Sequence, residues 1–320
     1  MTLFQRIAAV ALIAIAAPAA AQPSAYPAKP VRVIVTTVPG PLDTFARIIC
    51  DKLAGALKQP FVIENKAGAG GNIGAEIVAK SPADGYTLLF ALDTTFTVNP
   101  SIYKTMSFDV AKDLVVISVP VTYGQMLAVN ATVPAKNVHE LVELAKHKPL
   151  NYASGGNGSP SHLSFAYFLA TSGVEMNHIP YKGTGQSIVD VVAGQVDSIF
   201  AVTTGVYPHV KSGKLRALAV SSAKRSEVAP EVPTVAEAGY PGFDASFAYA
   251  LLAPAGTPEE IVRTLAREVK NAMAAPDVRE KNRLADYAAT DLDPKQSAQW
   301  LKDKREHWAR VVQRAGIMAQ

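Results

Sequence analysis

Residues 31–57 read VRVIVTTVPGPLDTFARIICDKLAGAL, and this stretch decides the fold class. Val31 to Val35 is a β-branched run. Thr36-Thr37-Val38-Pro39-Gly40 interrupts it, and from Asp43 to Leu57 the apolar residues Phe45, Ile48, Ile49, Leu53 and Leu57 recur at helical spacing. The reading is strand, loop, helix. The unit then repeats: Phe61-Val62-Ile63-Glu64 leads through Gly68-Ala69-Gly70-Gly71 into a helix reaching Lys80, and an Asp84-Gly85 turn opens the strand Tyr86-Thr87-Leu88-Leu89-Phe90. Strands that alternate with crossover helices predict a parallel sheet and an α/β fold.

The pattern restarts further along. A helix runs from Val138 to Lys146, Asn151-Tyr152-Ala153 is a strand, and Ser159-Pro160 pairs an N-cap with proline at the first helical position. Further strands fall at Met176 to Pro180, Ser198 to Val202 and Leu215 to Val220, with Gly194 and Gly213 just past helix ends, where a left-handed residue is wanted. The last third is helical. Thr257-Pro258-Glu259-Glu260 and Asp293-Pro294-Lys295-Gln296 both read as capping boxes, the second ahead of Trp300 and Trp308. Extended crossings at Leu114 to Val129 and Phe247 to Ala253 join two α/β halves, which predicts a hinged pair of domains with a cleft between them.

Composition narrows the function. With 320 residues, 49% hydrophobic and 18% charged, the chain can bury the cores of two domains and is neither disordered nor polytopic. Its net charge of +4 is too small for a nucleic-acid partner. Cys50 is the single cysteine, so no intramolecular disulfide or CxxC site exists; it falls in the apolar stretch of the first helix and reads as a small core residue. Arg6, the apolar run Ile7 to Ala17 and Ala19-Ala20-Ala21 have the pattern of a cleaved secretory signal over residues 1–21. The run is too short to span a bilayer, which implies an exported, soluble mature protein with no later membrane insertion.

Ligands in open α/β sheets bind beyond the carboxyl ends of the strands. The loops there are rich in glycine and hydroxyls: Thr36 to Asp43, Gly68 to Gly74, Asp93-Thr94-Thr95, Ser154 to Ser159, Lys182 to Gly185 and Thr203-Thr204-Gly205. Such loops at helix N-termini are expected to leave amides pointing at the cleft, a setting for a small anion, most simply a carboxylate. Chemistry is poorly supported. Gly68-Ala69-Gly70-Gly71-Asn72-Ile73-Gly74 misses a dinucleotide fingerprint at Ile73, and no P-loop or G-x-S-x-G elbow occurs. His139 and His147 lie two helical turns apart, roughly 12 Å, too far to share one metal ion. His162 follows the Ser154 to Ser159 loop and can line the cleft. An exported hydrolase using Ser159 or His162 is the enzymatic alternative, but neither a base nor an orienting acid can be assigned to it.

Ordered motifs carry a family resemblance: Tyr26-Pro27-Ala28-Lys29-Pro30-Val31, Glu64-Asn65-Lys66-Ala67-Gly68-Ala69-Gly70-Gly71-Asn72-Ile73-Gly74, Asp84-Gly85-Tyr86-Thr87-Leu88, Pro180-Tyr181-Lys182-Gly183, Gly194-Gln195-Val196-Asp197 and Val232-Pro233-Thr234-Val235-Ala236-Glu237-Ala238-Gly239-Tyr240-Pro241-Gly242. Over nearly the whole mature chain the sequence resembles the Bug family of periplasmic solute-binding proteins, the TctC-like receptors of tripartite tricarboxylate transporters. The resemblance implies a two-domain Venus flytrap: residues 22–125 and a returning 235–320 in domain 1, and residues 126–234 in domain 2. It implies capture of a dicarboxylate, tricarboxylate or aromatic acid without chemistry, metal or cofactor. The protein is then a periplasmic monomer that hands its guest to membrane transporter subunits or, alternatively, to a sensor kinase.

Carried over by position, the ligand contacts are Thr36, Thr37, Gly40, Asp43, Gly70, Gly71, Asn72, Thr94 and Thr95 from domain 1. Domain 2 supplies Ser154, Gly155, Gly156, Asn157, Ser159, His162, Lys182, Gly183 and Thr184. Two departures from the family pattern bear on the guest. Pro39 and Pro41 remove amide donors from the first loop, passing the anchoring to Thr36, Thr37 or water, and Ala201 stands where many members carry an acid suited to ammonium-bearing ligands.

Overall fold

The computed structural model describes residues 26–317, so the signal segment read at 1–21 lies outside the described residues. The chain runs β1 (Val31–Val35), α1 (Pro41–Leu57), β2 (Phe61–Asn65), α2 (Asn72–Ala79), β3 (Thr87–Leu92), α3 (Thr94–Thr97), α4 (Asn99–Ile102) and β4 (Leu114–Tyr123). It continues through β5 (Met126–Asn130), α5 (Val138–His147), β6 (Asn151–Ser154), α6 (Pro160–Ser172), β7 (Asn177–Pro180), α7 (Thr184–Val192), β8 (Ser198–Ala201), α8 (Thr203–Lys211) and β9 (Leu215–Val220). The last stretch holds β10 (Phe247–Pro254), α9 (Glu259–Ala274), α10 (Pro276–Ala285), β11 (Ala288–Ala289) and α11 (Pro294–Ala315).

Two sheets result, a six-stranded one ordered β11-β4-β10-β3-β1-β2 and a five-stranded one ordered β7-β6-β8-β5-β9. The expected parallel pairing holds for β1 with β2 and β3, and for β6 with β7 and β8. It fails at the crossings: β10 runs antiparallel to β3 and β4, and β5 antiparallel to β8 and β9. The reason is geometric. A strand that leaves one sheet for the other must end at the facing edge, and a strand that returns must begin there.

The core explains why these segments hold. Val33 and Val35 of β1 pack with Phe45, Ile49 and Leu53 of α1, while Ile34 faces Ala75 and Val78 of α2, so β1 is buried on both faces. Each of the larger side chains, alanine excepted, contributes about 1.5–3 kcal/mol by burial. Trp308 of α11 is fully buried and stacks on Phe247 of β10 with ring centroids 5.3 Å apart, which ties the last helix to the first sheet. Helix α1 begins at Pro41, ahead of the expected Asp43, because proline at the first helical position has no amide to lose. The Asp293 capping box forms, with Gln296 N–H donating to the Asp293 carboxylate at 2.7 Å. The Thr257 box does not. Its hydroxyl donates back to Pro254 O at 2.7 Å, and α9 starts from Pro258 without a side-chain cap.

The crossings meet at a knot of hydrogen bonds. Gln125 N–H donates to Ser221 Oγ at 2.8 Å, Ser221 Oγ donates to Ala245 O at 2.9 Å, and Ser164 Oγ donates to Gln125 Oε1 at 2.9 Å. Gln125 and Ser221 are buried, so these bonds hold the crossings together.

Candidate functional site

The carboxyl ends of β1, β2 and β3 gather the first-domain groups. Thr36 follows β1 directly, and its Cβ and Oγ1 stand beside Gly71, the residue before α2. Gly71 has φ +96, and a Cβ there would collide with Thr95 Oγ1, so only glycine lets Thr36, α2 and α3 converge. Thr95 Oγ1 and Asn99 Nδ2 both donate to Gly70 O, at 3.1 and 3.0 Å, and Asn99 also donates to Asn72 Oδ1 at 2.7 Å. Two hydroxyls stay free: Thr36 Oγ1 and Thr37 Oγ1 are buried with no hydrogen-bond partner among the described residues. A buried donor left so costs about 1–3 kcal/mol, a cost that a bound acceptor removes.

The Asp43 carboxylate is held from within the protein. Arg47 grips its carboxylate with Nε at 2.8 Å and Nη2 at 3.0 Å, and Asn65 Nδ2 donates to it at 2.8 Å. The Arg47 guanidinium holds this carboxyl below its ordinary range. Both oxygens are committed within the protein. Gly40 serves as the N-cap of α1, with extended φ 171.

In the second domain the Ser154 to Ser159 loop corrects a larger expectation. Gly155 N–H donates to Ser161 Oγ, Gly156 N–H to Ser154 Oγ, Gly158 N–H to His162 Nδ1 and Ser159 N–H to Gly156 O. These amides are consumed inside the loop because its serines and histidine are close enough to satisfy them. Asn157, at the exposed tip, is the member of the set whose amide has no such partner among the described residues. Free donors lie next door. Gly183, with φ +133, precedes α7 and gives it no side-chain cap, and a Cβ on Gly155 would lie 2.9 Å from Thr184 Oγ1. Lys182 is exposed and makes no ion pair among the described residues.

Helix ends sharpen the point. Helices α5 and α11 carry side-chain caps from Asn137 and Asp293, and α9 and α10 have acids in their first turn. Helices α2, α7 and α8 have neither a side-chain cap nor a first-turn acid. All three start after strands β2, β7 and β8, where the loops gather; α7 and α8 begin with orphan amides and partial positive charge, whereas at the start of α2 the Gly71 and Asn72 amides donate to Gly68 O and Ala69 O. The two halves also touch. A Cβ on Gly158 would lie 2.9 Å from Ile102 Cδ1, while Asn99 and Tyr103 flank Gly70.

His162 joins the loop through Gly158 N–H. Its ring stacks on His178 at 4.2 Å and lines a hollow of about 790 Å³ with Tyr152, Met176 and Arg314. Burial, helped by His178, pushes its pKa down to about 4, so the ring is neutral and accepts from Gly158. Ser159 Oγ donates to Gly156 O at 2.6 Å and caps α6, with no ring nitrogen as its base. The serine–histidine contact that does form, Ser154 Oγ to His178 Nε2 at 2.6 Å, has no carboxylate on the other ring nitrogen among the described residues. Burial pushes the Cys50 thiol up to about 12. Among the described residues no group of three His, Cys, Asp or Glu side chains is placed to hold a metal ion, and no helix is long and apolar enough to cross a membrane.

Sequence reasoning missed Asn99, Ile102, Ser161 and His178. Asn99-Pro100 was readable as a helix start, but its contact with Gly70 spans 29 residues and has no local sign. His178 meets Ser154 across the β6–β7 pair, a register that the sequence does not specify.

Residues 45–317 match the tripartite tricarboxylate transporter family receptor. Protein BugT of Bordetella pertussis is 36% identical over 311 residues, which cover 96% of this chain and 95% of BugT. An R. palustris structure solved with adipate superimposes with a TM-score of 0.83 at 32% identity, covering 92% of this chain and 99% of that one. MatC from Rhodopseudomonas palustris, solved with bound malate, gives a TM-score of 0.79 at 31% identity, covering 90% of this chain and 100% of MatC.

Proposed function

Because the chain belongs to the tripartite tricarboxylate transporter receptor family, we propose that it captures a small carboxylate in the cleft between its two domains and releases it unchanged to membrane transporter subunits. The observation that carries this reading is the pair of buried, unpartnered hydroxyls on Thr36 and Thr37, set where helices without caps begin. The adipate and malate in the two similar structures support a carboxylate as the guest. The periplasm is the compartment where such a receptor meets its guest, in keeping with the signal-like residues 1–21.

Thr36, Thr37, Gly70, Gly71, Asn72, Thr94 and Thr95 form the first-domain wall in this reading, and Asn157, Lys182, Gly183 and Thr184 the second. The remaining loop members, Ser154, Gly155, Gly156 and Ser159, shape the wall through their own hydrogen bonds. Charge-assisted hydrogen bonds contribute about 1.5–3 kcal/mol each, so a few of them with apolar burial reach about −8 kcal/mol, the micromolar range that a reversible receptor needs. Thermal-shift screening of the mature protein against mono-, di-, tri- and aromatic carboxylates, each beside its amide, tests the reading. Acids should stabilise and amides should not; equal shifts would defeat the anion argument.

A further inference from the structure

The loop between β1 and α1 carries the two free hydroxyls, yet it has almost nothing to hold it. Thr36 N–H is bonded to Phe90 O, and Gly40 O accepts from Thr44 N–H, which anchors the two ends. Between them Pro39 has no N–H, Val38 is 66% exposed, and no amide from Thr37 to Gly40 has a partner among the described residues. One tether remains. Asn65 Nδ2 donates to Thr37 O at 2.9 Å and, from the same nitrogen, to Asp43 Oδ1 at 2.8 Å. Asn65 ends the edge strand β2 directly across from Val35, and Arg47 locks Asp43 from the outer side.

We propose that Asn65 is a positioning residue for ligand capture, bolting the Thr36–Gly40 loop to the edge of the first sheet through a clamp shared with Asp43 and Arg47. This rests on the receptor reading given above. The physical logic is preorganisation: two hydroxyls grip a carboxylate well only if the loop is already ordered, because ordering it at the moment of binding would subtract from the affinity. The clamp is local. It joins β2 to the start of α1 without entering the packing of Phe45, Ile49 and Leu53, so its loss should loosen the loop and leave the fold standing.

The test uses the mature full chain as wild type, Asn65→Leu, Asn65→Asp and, as control, Arg263→Ala in the exposed Arg263–Glu259 pair. Backbone order parameters of Val38 and Gly40 are read by NMR without ligand, and affinities for adipate and malate by calorimetry. Both Asn65 variants should drop the order parameters from about 0.85 to below about 0.6 and weaken binding about tenfold, a factor typical of one lost hydrogen bond to a charged group. Asn65→Leu removes the donor without adding charge, while Asn65→Asp keeps the size of asparagine, loses the donor and sets a second carboxylate against Asp43, so wild-type behaviour in either would overturn the clamp. Unchanged order parameters would overturn it too, as would a loosened loop with unaltered affinity. Failure of wild type to bind either acid counts against the receptor reading for these probes, and the order parameters still decide the clamp.

Discussion

Gly158 in the second domain and Ile102 in the first meet across the cleft, close enough that a single added carbon on Gly158 would lie 2.9 Å from Ile102 Cδ1. Gly158→Ala should therefore oppose closure and weaken acid binding. Gly173→Ala is the matched control: φ is +70 there against +71 at Gly158, but nothing lies within 4 Å. Both changes bear the same backbone strain of about 1 kcal/mol, so calorimetry should show a loss of affinity only for Gly158→Ala. Equal affinities would remove Ile102 from the closing contact.

Thr36→Val and Thr37→Val separate stability from binding. Each replaces a buried hydroxyl that has no partner with a methyl of similar shape, so the ligand-free protein should be as stable as wild type or more stable, by up to about 1–3 kcal/mol, in urea unfolding. Binding of a carboxylate should weaken by at least about tenfold. Lower stability with unchanged affinity would assign the hydroxyls to the fold.

Asp93 offers a test in pH. It is fully buried, its Oδ1 accepts from Ala248 N–H at 3.0 Å, and Oδ2 has no partner among the described residues. Burial pushes its pKa from 3.8 up to about 7 against the pull of the Ala248 bond and Lys304. A raised folded-state pKa means that its contribution is fully present below about 3.8 and is lost as pH rises through 7. Asp93→Asn should thus be more stable than wild type in urea unfolding at pH 8, and the two should converge near pH 4. A pH-independent difference would contradict this.

The histidines act in the opposite sense. Burial lowers His162 and His307 to about 4; like-charged His178 adds to the first effect, and Lys304 and Arg310 to the second, with Asp244 opposing it. A depressed histidine favours the folded state above its ordinary value of 6.5, and that stability disappears as pH falls from 6.5 through 4. Over this window the two histidines lower the melting temperature as pH falls, against the opposite contribution of Asp93. His307→Leu, which removes a buried Nε2 that has no partner, should flatten part of the fall. Parallel melting curves for wild type and variant would exclude His307.

Much of the architecture was legible locally. The β-branched Val31 to Val35, the helical spacing from Phe45 to Leu57 and the Ser159 and Asp293 caps depend on near neighbours, and the structure has them. The antiparallel β5 and β10 were not legible, since strand direction follows from the path between two sheets and leaves no periodic mark. The site divides the same way. Thr36, Gly71 and Thr95 converge as the glycine pattern suggested, but the fate of each amide depends on pairs such as Gly155 with Ser161 and Gly158 with His162, which form only once the loop is folded. Asp43 is the clearest case: its carboxylate stands in the first turn of α1, just past the loop, and its partner Asn65 comes from β2.

A crystal structure with the acid that most raises the melting temperature tests the central claim most directly. The account expects one carboxylate within hydrogen-bonding distance of Thr36 Oγ1 and Thr37 Oγ1, with amides at the start of α2 or α7 completing the grip. An acid held elsewhere, with both threonine hydroxyls still unpartnered, would contradict it.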